Sequence, residues 1–186
     1  MTVELPLKNV FYSYDLEVGD LVAPYGNGKE QHINLLIRGV RENSYVFDEQ
    51  LILNFPKDGD GALEVEQTVN PNDVLKKNYK LDTFYDLTLS KHSKILTNGN
   101  NKEISWSYGK SFTDKLTYVF RLNSKINSKD KVIEANYAYL IEYPQFFIVD
   151  DTGKEFYSSE GVVRFAYYFN PVVNDLDVSY DFVQSK

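Results

Sequence analysis

A two-residue alternation of apolar and polar side chains runs through much of this chain. In Val10–Val18, one parity carries Val, Tyr, Tyr, Leu and Val, whereas the other carries Phe, Ser, Asp and Glu. The same alternation returns in Leu116–Leu122 and in Leu176–Phe182. Because successive side chains of a strand point to opposite faces, each segment predicts a strand with one dry and one wet face. The pattern therefore predicts an all-β protein.

Turn residues separate these apolar runs at the spacing expected of two packed antiparallel sheets, so we expect roughly ten to twelve strands, the last two over Val162–Phe169 and 176–183. Asn98-Gly99 predicts a hairpin between Ile95 and the segment Ile104–Tyr108. One short helix is predicted near 72–78, because Asn72 is a plausible N-cap and Asp73 suits the positive end of a helix dipole. The chain has no internal repeat and no linker. We therefore expect residues 1–186 to form a single-domain antiparallel β-sandwich, either jelly-roll-like or immunoglobulin-like.

One segment departs from the simple alternation. In Val132–Glu142 both parities carry apolar residues, as in a central strand that is buried on both faces. We expect a second sheet to cover one face. The other face should be covered by a loop, a helix or a partner chain.

Composition and charge narrow the classes of partner. The 186 residues include 15 Tyr, 12 Phe and no Cys, and their formal net charge is −7. Without cysteine there is neither a disulfide nor a thiolate zinc site, and we expect no cofactor. The acidic balance is the opposite of the cationic surface that nucleic-acid binding needs, so we expect no nucleic-acid partner.

The N-terminal stretch predicts where the chain is made. Met1–Lys8 has no basic region followed by an apolar core, which predicts that there is no signal peptide. No run approaches 18 consecutive apolar residues, so we expect no membrane span. Synthesis in a cytoplasm follows, and later incorporation into a virion would be compatible with it.

The strongest acidic constellation is Asp15, Glu17 and Asp20. On one strand face, Asp15 and Glu17 would lie about 6.7 Å apart, between the carboxylate spacings of retaining and inverting glycosidases. Some jelly-roll glycosidases carry a Glu-x-Asp-x-x-Glu strand, and this hexapeptide has acids at the same positions but different ones. We favour the polar face of an amphipathic strand and keep a glycan-active hydrolase as a third hypothesis.

Two glycine-containing segments resemble ligand loops only in part. Asp58 and Asp60 are candidate calcium ligands, but the following residues lack the Gly and the bidentate Glu of an EF-hand loop. In Gly26–Glu30, the residues required by a phosphate-binding Walker motif are missing. We expect the segment with Asp58 and Asp60 to be a solvated turn and Gly26–Glu30 to be a turn.

Trp106 and Tyr108 are candidates for an aromatic platform that stacks on a sugar ring, beside Tyr118 or Tyr139 if those strands are neighbours. We favour a position of the Trp106 side chain in the core. His32 and His92 are the two histidines, and we expect both to be solvated, His92 in a hydrophilic loop over Ser90–Lys94.

These observations favour a non-catalytic structural or interaction module. The leading hypothesis is a virion component, such as a phage capsid-auxiliary, head-fibre or tail protein, whose partners are other protein chains. The alternative is a carbohydrate-binding β-sandwich whose ligand is a glycan. The third is the hydrolase that would use Asp15 and Glu17.

Overall fold

A computed structural model gives the architecture of the chain and confirms that it is all-β. Thirteen strands in the described residues form three antiparallel sheets. Among these residues there is no helix with the length and apolarity needed to cross a membrane. The structure describes residues 1–43, 46–66, 72–73, 75, 84–98, 101–108, 116–141, 144–149 and 160–176.

The largest sheet has six strands in the spatial order β3-β2-β4-β5-β7-β8. Its strands, in chain order, are β2 Tyr12–Asp15, β3 Asp20–Leu21, β4 Ile33–Asn43, β5 Val46–Asn54, β7 Leu87–Asn98 and β8 Asn101–Tyr108. The pairing of β7 with β8 confirms the hairpin that Asn98-Gly99 predicts.

The other two sheets are smaller. A four-stranded sheet has the order β13-β10-β9-β6, and a three-stranded sheet has the order β1-β12-β11. The four-stranded sheet contains β6 Gly61–Glu66, β9 Leu116–Ile126, β10 Val132–Leu140 and β13 Tyr167–Asn170. The three-stranded sheet contains β1 Thr2–Leu5, β11 Gln145–Val149 and β12 Glu160–Arg164.

One apolar core draws on all three sheets, with Leu35 from the six-stranded sheet, Phe120 from the four-stranded sheet and Phe146 from the three-stranded sheet. A second cluster covers the opposite face of the four-stranded sheet, where Leu75 and Phe84 are buried. The four-stranded sheet therefore carries apolar side chains on both faces, as expected where inner strands are buried on both sides.

The prediction that β10 is covered on both faces is confirmed. Ala138 faces the shared core, whereas Tyr137 packs in the second cluster with Leu75 and Phe84. The cover of this second face comes from the same chain. The alternation blurs because apolar side chains of this strand are buried on both faces, and the register with β9 also shifts twice between Val132 and Asn136.

Several strand limits differ from the predicted ones. The strand expected to reach Val18 ends at Asp15, because the Asp15 carboxylate accepts the N–H groups of Glu17 and Val18 and turns the chain. The segment expected as one strand over Val162–Phe169 divides into β12 and β13, which belong to different sheets.

The predicted helix and the last predicted strand are described only in part. Asn72, Asp73 and Leu75 are helical, and the remainder of 72–78 lies outside the described residues. The strand expected over 176–183 also lies outside them beyond Leu176.

Candidate functional site: an aromatic cleft and the polar network behind it

An open cleft of about 530 Å³ lies between the edge strand β13 and the turn that follows β2. The turn contributes Leu16–Gly19, and the opposite side is formed by Phe165–Phe169 together with Pro171. Met1 completes the lining, and among the lining residues that the structure describes, Glu17 alone has a charged side chain. The cleft is thus apolar and aromatic, with one carboxylate.

Hydrogen bonds from two tyrosine hydroxyls connect the two sides of the cleft. The Tyr167 hydroxyl donates to the carbonyl of Leu16 at 2.6 Å, and the Tyr14 hydroxyl donates to Sδ of Met1 at 2.8 Å. Burial raises the pKa of Tyr14 and the pKa of Tyr167 above their ordinary values, so both phenols stay protonated. These donors fix the cleft walls at neutral pH.

A buried carboxylate lies directly behind the turn. Asp15 is 1% exposed. Its Oδ1 accepts the N–H groups of Glu17 and Val18, and its Oδ2 accepts those of Lys29 and Glu30, at 2.9 to 3.2 Å. Burial alone would raise the pKa of Asp15, but these backbone donors lower it below its ordinary value. The carboxylate therefore stays ionised and is saturated by the chain itself.

His32 lies against this carboxylate, so the prediction that it is solvated is wrong. The ring is 1% exposed, and its Nδ1 lies 3.2 Å from Oδ1 of Asp15 and 3.1 Å from the backbone N of Leu16. Burial lowers the pKa of His32 below its ordinary value, although the Asp15 charge acts in the opposite direction. At neutral pH the ring is neutral, and Nδ1 accepts the Leu16 N–H.

The polar network continues across the protein interior. Asn123 on β9 lies next to the ring: its Nδ2 is 3.0 Å from Nε2 of His32 and donates to Oδ1 of Asn136 on β10 at 3.4 Å. Asn136 donates to the carbonyl of Pro171 at 2.9 Å. The His32 ring also contacts the Phe169 ring, with 5.2 Å between centroids. One chain of contacts thus connects both walls of the cleft.

The three acids predicted as a hydrolase site do not share an exposed strand face. Asp15 is buried and saturated, whereas Glu17 lies in the turn after β2 and is exposed at the cleft. Asp20 accepts the N–H of Leu21 and both the N–H and the side-chain amide of Asn27. Of the three, Glu17 alone lines the cleft.

The segment Gly26–Glu30 wraps around Asp15 as an irregular loop, as its prediction as a turn implies. A Cβ at Gly28 would lie 2.8 Å from the Cβ of Asp15 and 2.9 Å from the carbonyl of Asp20. Only glycine leaves room for this approach, which brings the N–H groups of Lys29 and Glu30 onto the carboxylate.

The predicted calcium ligands lie elsewhere, in the turn before β6. Asp58 is exposed, whereas the carboxylate of Asp60 accepts the N–H groups of Asn123 and Ser124 at 2.9 and 2.8 Å. Burial raises the pKa of Asp60 above its ordinary value. In the described part of the chain, no group of three or more His, Asp and Glu is arranged to hold a metal ion.

The predicted aromatic platform is described by its backbone alone. Trp106 and Tyr108 lie in β8, opposite Ser93 and Lys91 of β7, and their side chains are outside the described part of the chain. The strands of Tyr118 and Tyr139 are not neighbours of β8, because both belong to the four-stranded sheet, so the condition for their joining the platform is not met. His92 lies within β7, where a loop was predicted.

A second buried charge cluster was missed by the sequence reasoning. Glu49 is fully buried on β5 and forms a bidentate pair with Arg41, at 2.6 and 2.8 Å. Nζ of Lys91 lies 2.9 Å from Oε2 of Glu49, and burial lowers the pKa of Lys91, although the charge of that carboxylate acts in the opposite direction. The sequence does indicate that Glu49 is buried, because it lies two residues from both Phe47 and Leu51 and therefore on the same apolar strand face.

The Glu49 cluster joins two sheets. Oε1 of Glu49 accepts the N–H of Ile148, and Nζ of Lys91 donates to the carbonyl of Phe146. These groups lie two residues apart on β11 and so face the same edge of that strand. The cluster therefore caps the outer edge of β11 and holds the three-stranded sheet against β4 and β5.

Comparisons of the chain with protein-family models, with curated protein sequences and with solved structures gave no match.

Proposed function

We propose that this chain is a non-catalytic β-sandwich interaction module that docks on other protein chains through the aromatic cleft, within an assembly such as a virion. The observation that carries the proposal is the exposed apolar rim of the cleft. Met1 and Val18 line it and are about half exposed, and Val172 and Val173, which follow the lining residue Pro171 in the chain, are exposed as well. Contiguous apolar surface of this kind marks interaction sites on soluble proteins.

The chemistry of the buried acids supports a non-catalytic function. Asp15 and Glu49 both have their carboxylate oxygens engaged by groups of the protein itself. A general acid or base needs an atom within reach of the substrate. These two carboxylates stabilise the fold around the cleft and between the sheets.

The virion context rests on features of the sequence. The chain is acidic, has no cysteine, and carries Met1 as its sole methionine, so Met1 is the one sulfur that can be oxidised. Genes for capsid, portal or tail proteins beside the gene of this chain would support this context. Neighbours that encode carbohydrate metabolism would contradict it.

Docking through the cleft is tested with a matched pair of exposed valines. Val18 lines the cleft, whereas Val40 is similarly exposed on β4 and does not line it. In sedimentation velocity of the chain alone and with the proteins of neighbouring genes, Val18→Lys should weaken association by about tenfold or more. Val40→Lys should leave it unchanged. A strict monomer that associates with none of these proteins contradicts the proposal.

Glycan binding is the second candidate, and the aromatic lining of the cleft favours it. Tyr167, Tyr168 and Phe169 are only partly buried, and Glu17 offers an acceptor for sugar hydroxyls. Aromatic rings stack on the apolar faces of sugars. Titration with oligosaccharides would support this function if Tyr168→Ala abolished binding, and the Trp106 platform would be supported if Trp106→Ala did.

A further inference from the structure

The cleft runs along β13, which is the last strand of its sheet in the described part of the chain. This strand has four residues, which cover about 13 Å at the usual rise. Its inner edge pairs with β10 over Tyr167–Asn170. The backbone groups of its outer edge determine what the cleft can bind.

Hydrogen bonds next to β13 fix which of its residues face outward. The N–H of Ile141 donates to the carbonyl of Ala166 at 2.8 Å, which identifies the Ile141–Ala166 pair as hydrogen bonded. In the antiparallel ladder such pairs alternate with non-hydrogen-bonded ones. This alternation places the backbone groups of Leu140 on the side of β9, and its carbonyl does accept the hydroxyl of Thr117 there. The N–H and C=O groups of Tyr167 and Phe169 therefore point away from β10.

We propose that β13 and the cleft accept an extended segment of a partner polypeptide, which adds a strand antiparallel or parallel to β13. The inference rests on the proposed function and names the mode of docking. An extended backbone supplies N–H and C=O groups at the spacing that Tyr167 and Phe169 present. Its alternate side chains would lie in the apolar cleft.

The charge of the cleft determines which partner segments bind best. Glu17 is exposed at the cleft, and the chain carries a formal net charge of −7. Within the described part of the chain, the lining contains no lysine or arginine side chain that would balance Glu17. The preferred segment therefore alternates apolar residues with lysine or arginine, so that a basic side chain lies near this carboxylate.

The test uses the capped peptide Val-Lys-Val-Lys-Val as a probe, with amide chemical shifts and amide exchange as the readout. The peptide should shift the Tyr167 and Phe169 amides and slow their exchange. N-methylation of its inner residues should weaken binding roughly tenfold, because strand addition needs the peptide N–H groups. The acidic peptide Val-Glu-Val-Glu-Val should bind more weakly than the basic one.

A matched pair of variants tests the charge preference. Glu17→Gln should weaken binding of the basic peptide about twofold to fivefold, as expected for an exposed ion pair. Glu66→Gln, an exposed acid on the far strand β6, should leave it unchanged.

Four results would overturn the strand-addition proposal: no shift at β13, shifts confined to another surface, equal binding of the N-methylated peptide, or saturable binding of an oligosaccharide in place of the peptide. If Val18→Lys nevertheless disrupts protein association, the docking function stands and only its mode is wrong. If neither effect occurs, both proposals fail.

Discussion

The backbone N–H of Leu16 lies 3.1 Å from Nδ1 of His32, the same nitrogen that lies 3.2 Å from Oδ1 of Asp15. One ring nitrogen cannot accept from Leu16 and donate to Asp15 in the same protonation state. The neutral ring binds the N–H of Leu16, whereas the protonated ring would turn its proton to Asp15 and lose Leu16. Because Leu16 lines the cleft, protonation of His32 acts on the cleft wall.

Stability should therefore fall in mild acid. Burial lowers the pKa of His32 in the folded state, so the unfolded chain binds the proton more readily. The stabilisation is fully present above the unfolded pKa of about 6.5 and is lost as the pH falls through the folded pKa. In urea unfolding between neutral pH and pH 5, the slope from this group is at most about 1.4 kcal/mol per pH unit.

The second histidine provides the control for this pH dependence. The slope should persist in His92→Gln and disappear in His32→Asn. Asp15, whose pKa is lowered, loses its contribution only below the ordinary carboxyl range, whereas Asp60, whose pKa is raised by burial, gives a slope of the opposite sign. An unchanged slope in His32→Asn would show that another group is responsible.

Replacement of Asp15 by asparagine should be strongly destabilising. An amide offers one oxygen where the carboxylate offers two, so two of the four backbone N–H donors would face an NH₂ group. We expect a loss of about 3 kcal/mol in the free energy of unfolding, measured in urea. Asp58→Asn, at an exposed aspartate, should change it by less than about 0.5 kcal/mol. Equal stability of the two variants would contradict the structural role of Asp15.

Removal of the Glu49 charge should weaken the contact between the six-stranded and the three-stranded sheet. Glu49→Gln leaves Arg41 and Lys91 without a counter-charge in a buried position, at a cost of about 3 to 5 kcal/mol. Asp48→Asn, at the exposed neighbouring position, is the matched control. Amide exchange of Ile148 should accelerate in the Glu49 variant and not in the control. Slow exchange of Ile148 in both variants would show that another group caps this edge.

The sequence predicted the strands well and the polar interior poorly, for physical reasons. Alternation in a strand depends on which face is buried, so the all-β architecture and the double cover of β10 were readable. The burial of His32 was not predicted, because this residue lies just before β4 under the Phe169 ring. Contacts with distant parts of the chain bury it whatever its position in the alternation. Glu49 was readable from its apolar parity, but its partner Lys91 comes from a strand far along the chain.

The cleft was not predictable, because its walls come from segments about 150 residues apart. Tyr167 and Leu16 meet only after β12 and β13 separate into different sheets. No local pattern in Val162–Phe169 marks that separation, and the segment reads as one continuous strand.

The open edge of β13 is tested most directly by hydrogen–deuterium exchange of the chain without any partner. The Tyr168 and Asn170 amides should be protected by their pairing with β10, and the Tyr167 and Phe169 amides should exchange markedly faster. Equal protection of all four would mean that the outer edge is already occupied, and docking by strand addition at the cleft would be wrong.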